Sequence, residues 1–340
     1  MKVGVVGASG FTGTELLRLC AGRRDLDVAV VTAEQHAGRT VAETYPSLAA
    51  AYGGVRYEVT TPEVVDGLDL VFLCLPHGAS QRLVPEIVDR VGTVVDLAAD
   101  FRLRLPEQYD RWYGAPHLAP ELLDSFAYGL PELFRSEIVG ATRIASPGCY
   151  PTAAALALRP LIDAGVVRTS GVVVDAASGV SGAGTALART TQFTTVDENF
   201  MAYGLLDHRH TPEIEQATGA EVLFTPHLAP MNRGILATCY APLAEGAAAL
   251  STDDAVDLLR QRYDGEPFVV VADVPPSTKA TAGSNAAHLT VRVDARTGWV
   301  VSLCAIDNLL KGAAGQAMQA ANIALGVPET SGLSAVGVYP

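Results

Sequence analysis

A short apolar strand, Val3-Gly4-Val5-Val6, runs directly into Gly7-Ala8-Ser9-Gly10-Phe11-Thr12-Gly13 and then into the helix-forming Thr14-Glu15-Leu16-Leu17-Arg18-Leu19. Strand, glycine-rich turn and helix in that order open a βαβ unit whose helix N-terminus can meet the pyrophosphate of a dinucleotide. Gly7 permits the tight turn, Gly10 lets the backbone approach the ligand, and Gly13 lets the helix lie close to the strand. The spacing is GxxGxxG rather than GxGxxG, and a glycine-rich turn with no ligand is the competing reading. Ser9, Phe11 and Thr12 join the three glycines as candidate cofactor contacts.

The pattern then repeats. A strand is expected over 26–32, and a continuous apolar run over 70–75 ends in Pro76-His77-Gly78-Ala79-Ser80. A helix to Val91 and a further strand over 93–97 follow. Uninterrupted apolar runs belong to a parallel sheet covered on both faces, so the first part of the chain reads as a doubly wound, Rossmann-type α/β sheet. Leu75, Pro76 and His77 fall at a strand end on the ligand side. His77 reads as a lining residue of the nicotinamide pocket, with catalysis as the alternative. At the tip of the second strand, where NAD-specific proteins carry an acid, this chain has Thr32, followed by Arg39. The two could receive a 2′-phosphate, which favours NADP(H) over NAD, although Glu34 pointing inward would oppose it. Arg102, in Asp100-Phe101-Arg102-Leu103, is a candidate fork for an anionic substrate group. A salt bridge from Arg102 to Asp100 or Asp96 is the competing reading. Residues 104–145 read as an irregular connection.

Near the middle lies Ser146-Pro147-Gly148-Cys149-Tyr150-Pro151-Thr152, followed by an Ala-rich run with Pro151 where the first helical residue would fall. A cysteine over a helix N-terminus is favoured as thiolate by unpaired N–H groups and the helix dipole. Cys149 is therefore a candidate nucleophile, against the alternative of an ordinary buried cysteine.

The 340 residues, 49% of them hydrophobic, suffice for two domains with substantial cores. Five scattered cysteines without CxxC spacing argue against a disulfide framework or a structural zinc site. A net charge of −13 with no basic cluster argues against nucleic acid and anionic membranes as partners. The strand-like start and the lack of a spanning apolar run make cytoplasmic the default location.

After the cysteine helix the pattern changes. Strands are expected over 172–177, 222–225, 234–242, 268–272, 288–294 and 299–306, with helices over 212–218 and 252–263. This reads as an α+β domain with a mostly antiparallel sheet. Ser178 and Gly179 open a glycine-rich loop whose amides could hold an anion or close over a cofactor, and Asn308 is a further candidate cofactor contact. In Asp207-His208-Arg209-His210-Thr211-Pro212-Glu213, a histidine is the natural acid/base partner for a thiol. His210 is the choice over His208, with Arg209 and Glu213 as candidate substrate contacts. A solvated helix cap and a His-x-His metal pair are the alternatives, and no metal is expected. The last helical run, with small residues on several faces, is expected to return to the first domain. The domains would then be 1–148 with 311–340, and 149–310.

Together the blocks Gly7–Gly13, Leu75-Pro76-His77-Gly78, Asp100-Phe101-Arg102-Leu103, Pro147-Gly148-Cys149-Tyr150-Pro151-Thr152, His208 to Ile214 and Lys311-Gly312-Ala313-Ala314-Gly315-Gln316-Ala317 resemble the N-acetyl-gamma-glutamyl-phosphate reductases of arginine biosynthesis, in order from first strand to last helix. The resemblance implies a fold shared with aspartate-semialdehyde and glyceraldehyde-3-phosphate dehydrogenases, and a homo-oligomer, dimer or tetramer. It also implies NADPH-dependent reduction of a small acyl phosphate to the semialdehyde, with Cys149 as nucleophile. A reductase acting on a carrier-bound acyl phosphate and a non-catalytic NADP-binding regulator are the rival readings.

Overall fold

Leu70–Leu73 and Thr93–Asp96 are buried at every position in the computed structural model, which describes residues 1–339. Strands covered on both faces need helices on both sides, and these two sit at the middle of a six-stranded sheet. Its strands are β1 (Lys2–Val6), β2 (Asp27–Val31), β3 (Leu70–Leu73), β4 (Thr93–Asp96), β5 (Ala127–Tyr128) and β6 (Arg143–Ala145), in the order β2-β1-β3-β4-β6-β5, all parallel. The order reverses between β1 and β3, the switch point at which such sheets bind ligands. The Phe11–Ala21 helix follows β1, and the Gly315–Ala324 helix packs beside it. Buried Arg23 fastens that return, donating to the Asn322 side chain at 3.0 Å and to the Ser331 carbonyl at 2.9 Å.

Residues 104–145 differ from the irregular connection expected of them. They contain two helices, Glu107–Tyr113 and Pro131–Ile138, and the two strands that complete the sheet. Strands of two and three residues carry no readable period; β6 is specified by pairing with β4, and β5 by pairing with β6, rather than by their own sequence.

A second compact unit comprises Gly148–Gly312 and the chain from Ser334, while the first comprises Met1–Pro147 and Ala313–Leu333. The terminal segment thus departs from the expected 311–340 block. From Ser334 it bonds to the second unit, with Asn285 donating to the Ser334 carbonyl and Val338 to that of Ala282, each at 2.7 Å. The sheet of this unit is formed by β7 (Val172–Gly179), β8 (Met201–Ala202), β9 (Val222–Ala229), β10 (Ile235–Pro242), β11 (Val269–Val271), β12 (Ala287–Asp294) and β13 (Trp299–Ile306). The order is β11-β12-β13-β10-β7-β9-β8, with parallel pairs only at β11/β12 and β7/β9. β10 alternates strictly between buried and half-buried residues, as expected when one face is packed.

The packing face is covered by the Cys149–Asp163 helix, which lies on β10 and β13. Ala153 to Leu158 of this helix are wholly buried, and their small side chains let it approach the sheet closely. Ser302 Oγ reaches the Ala157 carbonyl at 2.8 Å and Tyr263 Oη that of Leu156 at 2.7 Å. Among the described residues no helix is long and apolar enough to cross a membrane.

The turn after β1 is set by space as much as by dihedral freedom. A Cβ on Gly13 would lie 2.6 Å from the Ala8 Cα. Gly13→Ala is expected to destabilise the first unit by about 1–3 kcal/mol through this overpacking, read as a lower midpoint in denaturant unfolding.

Candidate active site

In the first unit, Gly7 adopts φ +77°, and a Cβ there would lie 2.4 Å from the Cys74 carbonyl oxygen. Only glycine satisfies both demands. Gly10 is the N-cap of the Phe11–Ala21 helix, and a Cβ on it would meet nothing closer than the Gly7 oxygen at 3.7 Å. A backbone cradle with no capping side chain and open space at Gly10, ahead of a helix N-terminus, fits a pyrophosphate.

Thr32 is placed differently from expectation. It is wholly buried, and its hydroxyl accepts from the Gly7 N–H at 3.3 Å and pairs with the Thr60 hydroxyl at 2.8 Å. Its role is to brace the turn rather than to receive a phosphate. Arg39 remains exposed nearby, and exposed Arg56, which the sequence reading passed over, bridges to Thr40 and donates to the Gly38 carbonyl at 2.7 Å. Glu34 is turned aside, its carboxylate accepting from the Thr60 N–H at 3.2 Å.

The segment after β3 is tied down by one carboxylate. Asp100 is wholly buried; His77 Nδ1 lies 2.5 Å from its Oδ1, and the N–H groups of Gly78 and Gln81 donate to it at 2.9 and 3.1 Å. Burial opposes its ionisation, yet these donors outweigh burial and hold its pKa below the ordinary carboxylate range. Asp96 goes the other way: burial, reinforced by the negative charge of Asp100, pushes it up to about 7. Arg102 likewise departs from expectation. It is buried, and it spends Nε on the Ser146 carbonyl at 2.8 Å and Nη2 on that of Leu97 at 2.7 Å, which makes it a brace of the chain entering Pro147.

In the second unit, the helix begins at Cys149 itself, capped by Gly148 with φ −70° and ψ 157°. Pro151 is therefore its third residue, still within the first turn, where a missing N–H costs nothing. The Gly148 N–H donates at 2.8 Å to Oε1 of Glu213, and Oε2 of the same carboxylate lies 2.9 Å from His210 Nδ1. Glu213 is wholly buried. Expected to contact substrate, it instead fixes the cap of the cysteine helix with one oxygen and the imidazole with the other. The i, i+3 spacing of His210 and Glu213 at a helix start was the available signal. With Glu213 ionised, Nδ1 of His210 is the donor in this contact.

His208 has a different environment. Its ring is boxed by Tyr150, Tyr203 and Phe224 at centroid distances of 5.7, 5.4 and 5.2 Å, and Nδ1 accepts from the His210 N–H at 3.2 Å. Burial, followed by repulsion from His210 and Arg209, pushes its pKa down to about 3, so it stays neutral. The Tyr150 and Tyr203 hydroxyls lie 3.0 Å apart, and burial pushes Tyr203 up to about 12. Arg209 is exposed.

Ser178, Gly179 and Asn308 also gather in the second unit. Asn308 accepts from the Gly234 N–H at 2.8 Å and donates to Ser181 Oγ at 3.0 Å, pinning the loop that follows β7. Ser178 Oγ bonds to the Gly179 carbonyl at 3.0 Å. Among the described residues no three His, Cys, Asp or Glu side chains are grouped as a metal site.

Residues 2–141 match the family model of a semialdehyde dehydrogenase NAD binding domain, and residues 149–308 that of a semialdehyde dehydrogenase dimerisation domain. The chain is 48% identical to an N-acetyl-gamma-glutamyl-phosphate reductase of Symbiobacterium thermophilum, over all of this chain and 99% of that protein. It is 46% identical to the protein of the same name from Heliobacterium modesticaldum, over the whole of both. Aspartate semialdehyde dehydrogenase II of Vibrio cholerae, in a structure complexed with ASA, has the same fold at a TM-score of 0.69 and 18% identity, covering 96% of this chain and 98% of that one. The Candida albicans aspartate semialdehyde dehydrogenase with NADP gives 0.67 at 15% identity, covering 95% of this chain and 97% of that one.

The box around His208 has a consequence for stability. Its folded value lies below the ordinary 6.5, so the unfolded chain binds a proton that the folded chain refuses. This contribution is present above pH 6.5 and is lost as pH falls toward about 3. Unfolding free energies of His208→Asn measured across that window should depend less steeply on pH than those of the parent.

Proposed function

Because the chain belongs to the N-acetyl-gamma-glutamyl-phosphate reductase family of semialdehyde dehydrogenases, we propose that it reduces N-acetyl-L-glutamyl 5-phosphate to the 5-semialdehyde with release of phosphate, through a thioester on Cys149. The observation that carries the thioester reading is the buried Glu213 carboxylate bonded both to the cap of the Cys149 helix and to His210. A nucleophile and its base gain most when one rigid group fixes both.

In this reading the first unit holds the nucleotide and the second performs the chemistry. The Gly7–Gly13 turn takes the pyrophosphate, with Ser9, Phe11 and Thr12 at its edge. Leu75, Pro76 and His77 line the nucleotide, and Asp100 orients His77. Exposed Arg39, with Arg56 beside it, supports a 2′-phosphate and hence NADP(H). NADPH, when bound, supplies the hydride that reduces the thioester carbonyl. Ser178, Gly179 and Asn308 are assigned to closing over the nicotinamide end.

His210 takes the Cys149 proton through Nε2 as sulfur attacks the acyl carbon and the carbon–oxygen bond to phosphate breaks. After reduction the imidazolium returns that proton to the carbonyl oxygen, giving a thiohemiacetal. Breaking its carbon–sulfur bond, as the hydroxyl proton passes through His210 to sulfur, releases the aldehyde and restores the thiol. His208, held neutral, suits hydrogen bonding to the substrate rather than proton transfer, and exposed Arg209 suits its negative charge.

The test runs the reaction backwards, from N-acetylglutamate 5-semialdehyde, phosphate and NADP⁺, following NADPH absorbance. Turnover should require phosphate and vanish in Cys149→Ser. His210→Asn should lose about a hundredfold or more in kcat, as expected for a missing acid/base, and His208→Asn far less. Substantial turnover by Cys149→Ser would exclude covalent catalysis.

We also propose a homo-oligomer formed through the second unit. Leu187, Phe193 and Leu206, all at least 76% exposed, crowd a segment inside the dimerisation-domain match. Sedimentation should give a multiple of the chain mass, and Phe193→Glu combined with Leu206→Glu should shift it toward single chains.

A further inference from the structure

Gly312 lies directly against the proposed nucleophile. A Cβ built on it would stand 2.7 Å from the Cys149 Cβ and 3.2 Å from its Cα, closer than side chains tolerate. Its backbone is not left-handed, so the requirement for glycine at 312 is one of space alone. The glycine belongs to a five-residue π turn, Leu310–Ala314, between β13 and the last helix. Such turns store an awkward geometry that has to be held from outside.

Asp307 does the holding. Its backbone carbonyl accepts the Gly312 N–H at 2.9 Å, the bond that sets the wide turn. Its Oδ1 accepts from the Leu309 and Leu310 N–H groups at 2.8 and 3.2 Å, and its Oδ2 from that of Gly283 at 2.8 Å. Arg233 Nη1 stands 3.6 Å from Oδ2. The side chain of Asp307 is wholly buried, so its carboxylate depends on these donors for compensation.

We infer that Asp307 is a positioning residue for Cys149, acting through Gly312: it fixes the π turn whose backbone forms the wall against which the thiol is seated. The inference rests on the reading of Cys149 as nucleophile. It adds a second restraint on the same residue, independent of Glu213. Removing either the bare glycine or the carboxylate lets the sulfur move off its place at the helix start without touching the substrate.

Gly312→Ala and the isosteric Asp307→Asn test this, each first checked for cooperative melting. In Asn the Oδ1 acceptor survives, while its amide nitrogen cannot accept from Gly283. The measurements are the rate of Cys149 alkylation by iodoacetamide, followed on the Cys149 peptide, and kcat and KM in the reverse assay. Gly312→Ala should slow alkylation and lower kcat, each by about tenfold or more, with KM for aldehyde and NADP⁺ within about twofold, as expected for a misplaced reacting atom. Asp307→Asn should change the same quantities in the same direction. Parent-like alkylation and kcat in a folded Gly312→Ala, or in Asp307→Asn should Gly312→Ala fail to fold, would overturn the inference. Slowed alkylation together with full turnover by Cys149→Ser would instead uphold the positioning role and overturn the thiol chemistry.

Discussion

The second unit depends on one buried carboxylate. Glu213 has no exposed surface, and a charge in that position is tolerated only with strong donors on its oxygens. The donors it finds are the Gly148 N–H and His210 Nδ1, which arrive from two different helices. Desolvation therefore works in favour of order: any displacement of the cysteine helix or of the His210 turn strands a buried charge. This couples two segments 65 residues apart more tightly than apolar packing could, because burying a hydrophobic side chain is non-directional.

The two histidines in this unit show how one motif acquires two characters. They are two residues apart, and their rings are 5.2 Å apart. His210 faces a carboxylate, whereas His208 faces three aromatic rings and the N–H of its neighbour. The same residue type is thereby divided into one paired with a buried carboxylate and one fixed as neutral. A parallel division occurs in the first unit, where Asp100 collects donors and stays ionised while Asp96, beside it, is pushed up to about 7 by burial and by that charge.

Much of this was legible in the sequence, for physical reasons that can be named. Uninterrupted apolar runs at β3 and β4 announced strands covered on both faces, and the later alternation announced a sheet with one open face. The glycines at 7 and 13 were readable because close backbone approach admits no other residue there. What the sequence hid was the direction in which polar side chains point. Thr32, Arg102 and Glu213 were expected to reach for ligands. Each is buried and turned to backbone or neighbouring side chains, because a buried polar group must find a partner inside the chain before it can serve anything outside it. Strands as short as Ala127–Tyr128 were hidden for a different reason, being fixed by a neighbour's edge rather than by their own pattern.

Both units solve the same difficulty, holding an imidazole with a buried carboxylate, and they differ in what else the carboxylate holds. Asp100 spends its remaining capacity on the Gly78 and Gln81 N–H groups, so His77 is fixed to the loop that carries it. Glu213 spends its remaining capacity on Gly148, so His210 is fixed to a different element, the one that bears the thiol. The Asp100 tie holds the loop and its imidazole against the segment after β4. A tie between elements fixes the separation of two groups, which is what a step that forms one bond while breaking another requires. Under the thioester chemistry proposed above, the His210–Glu213 pair would serve bond making and the His77–Asp100 pair nucleotide recognition.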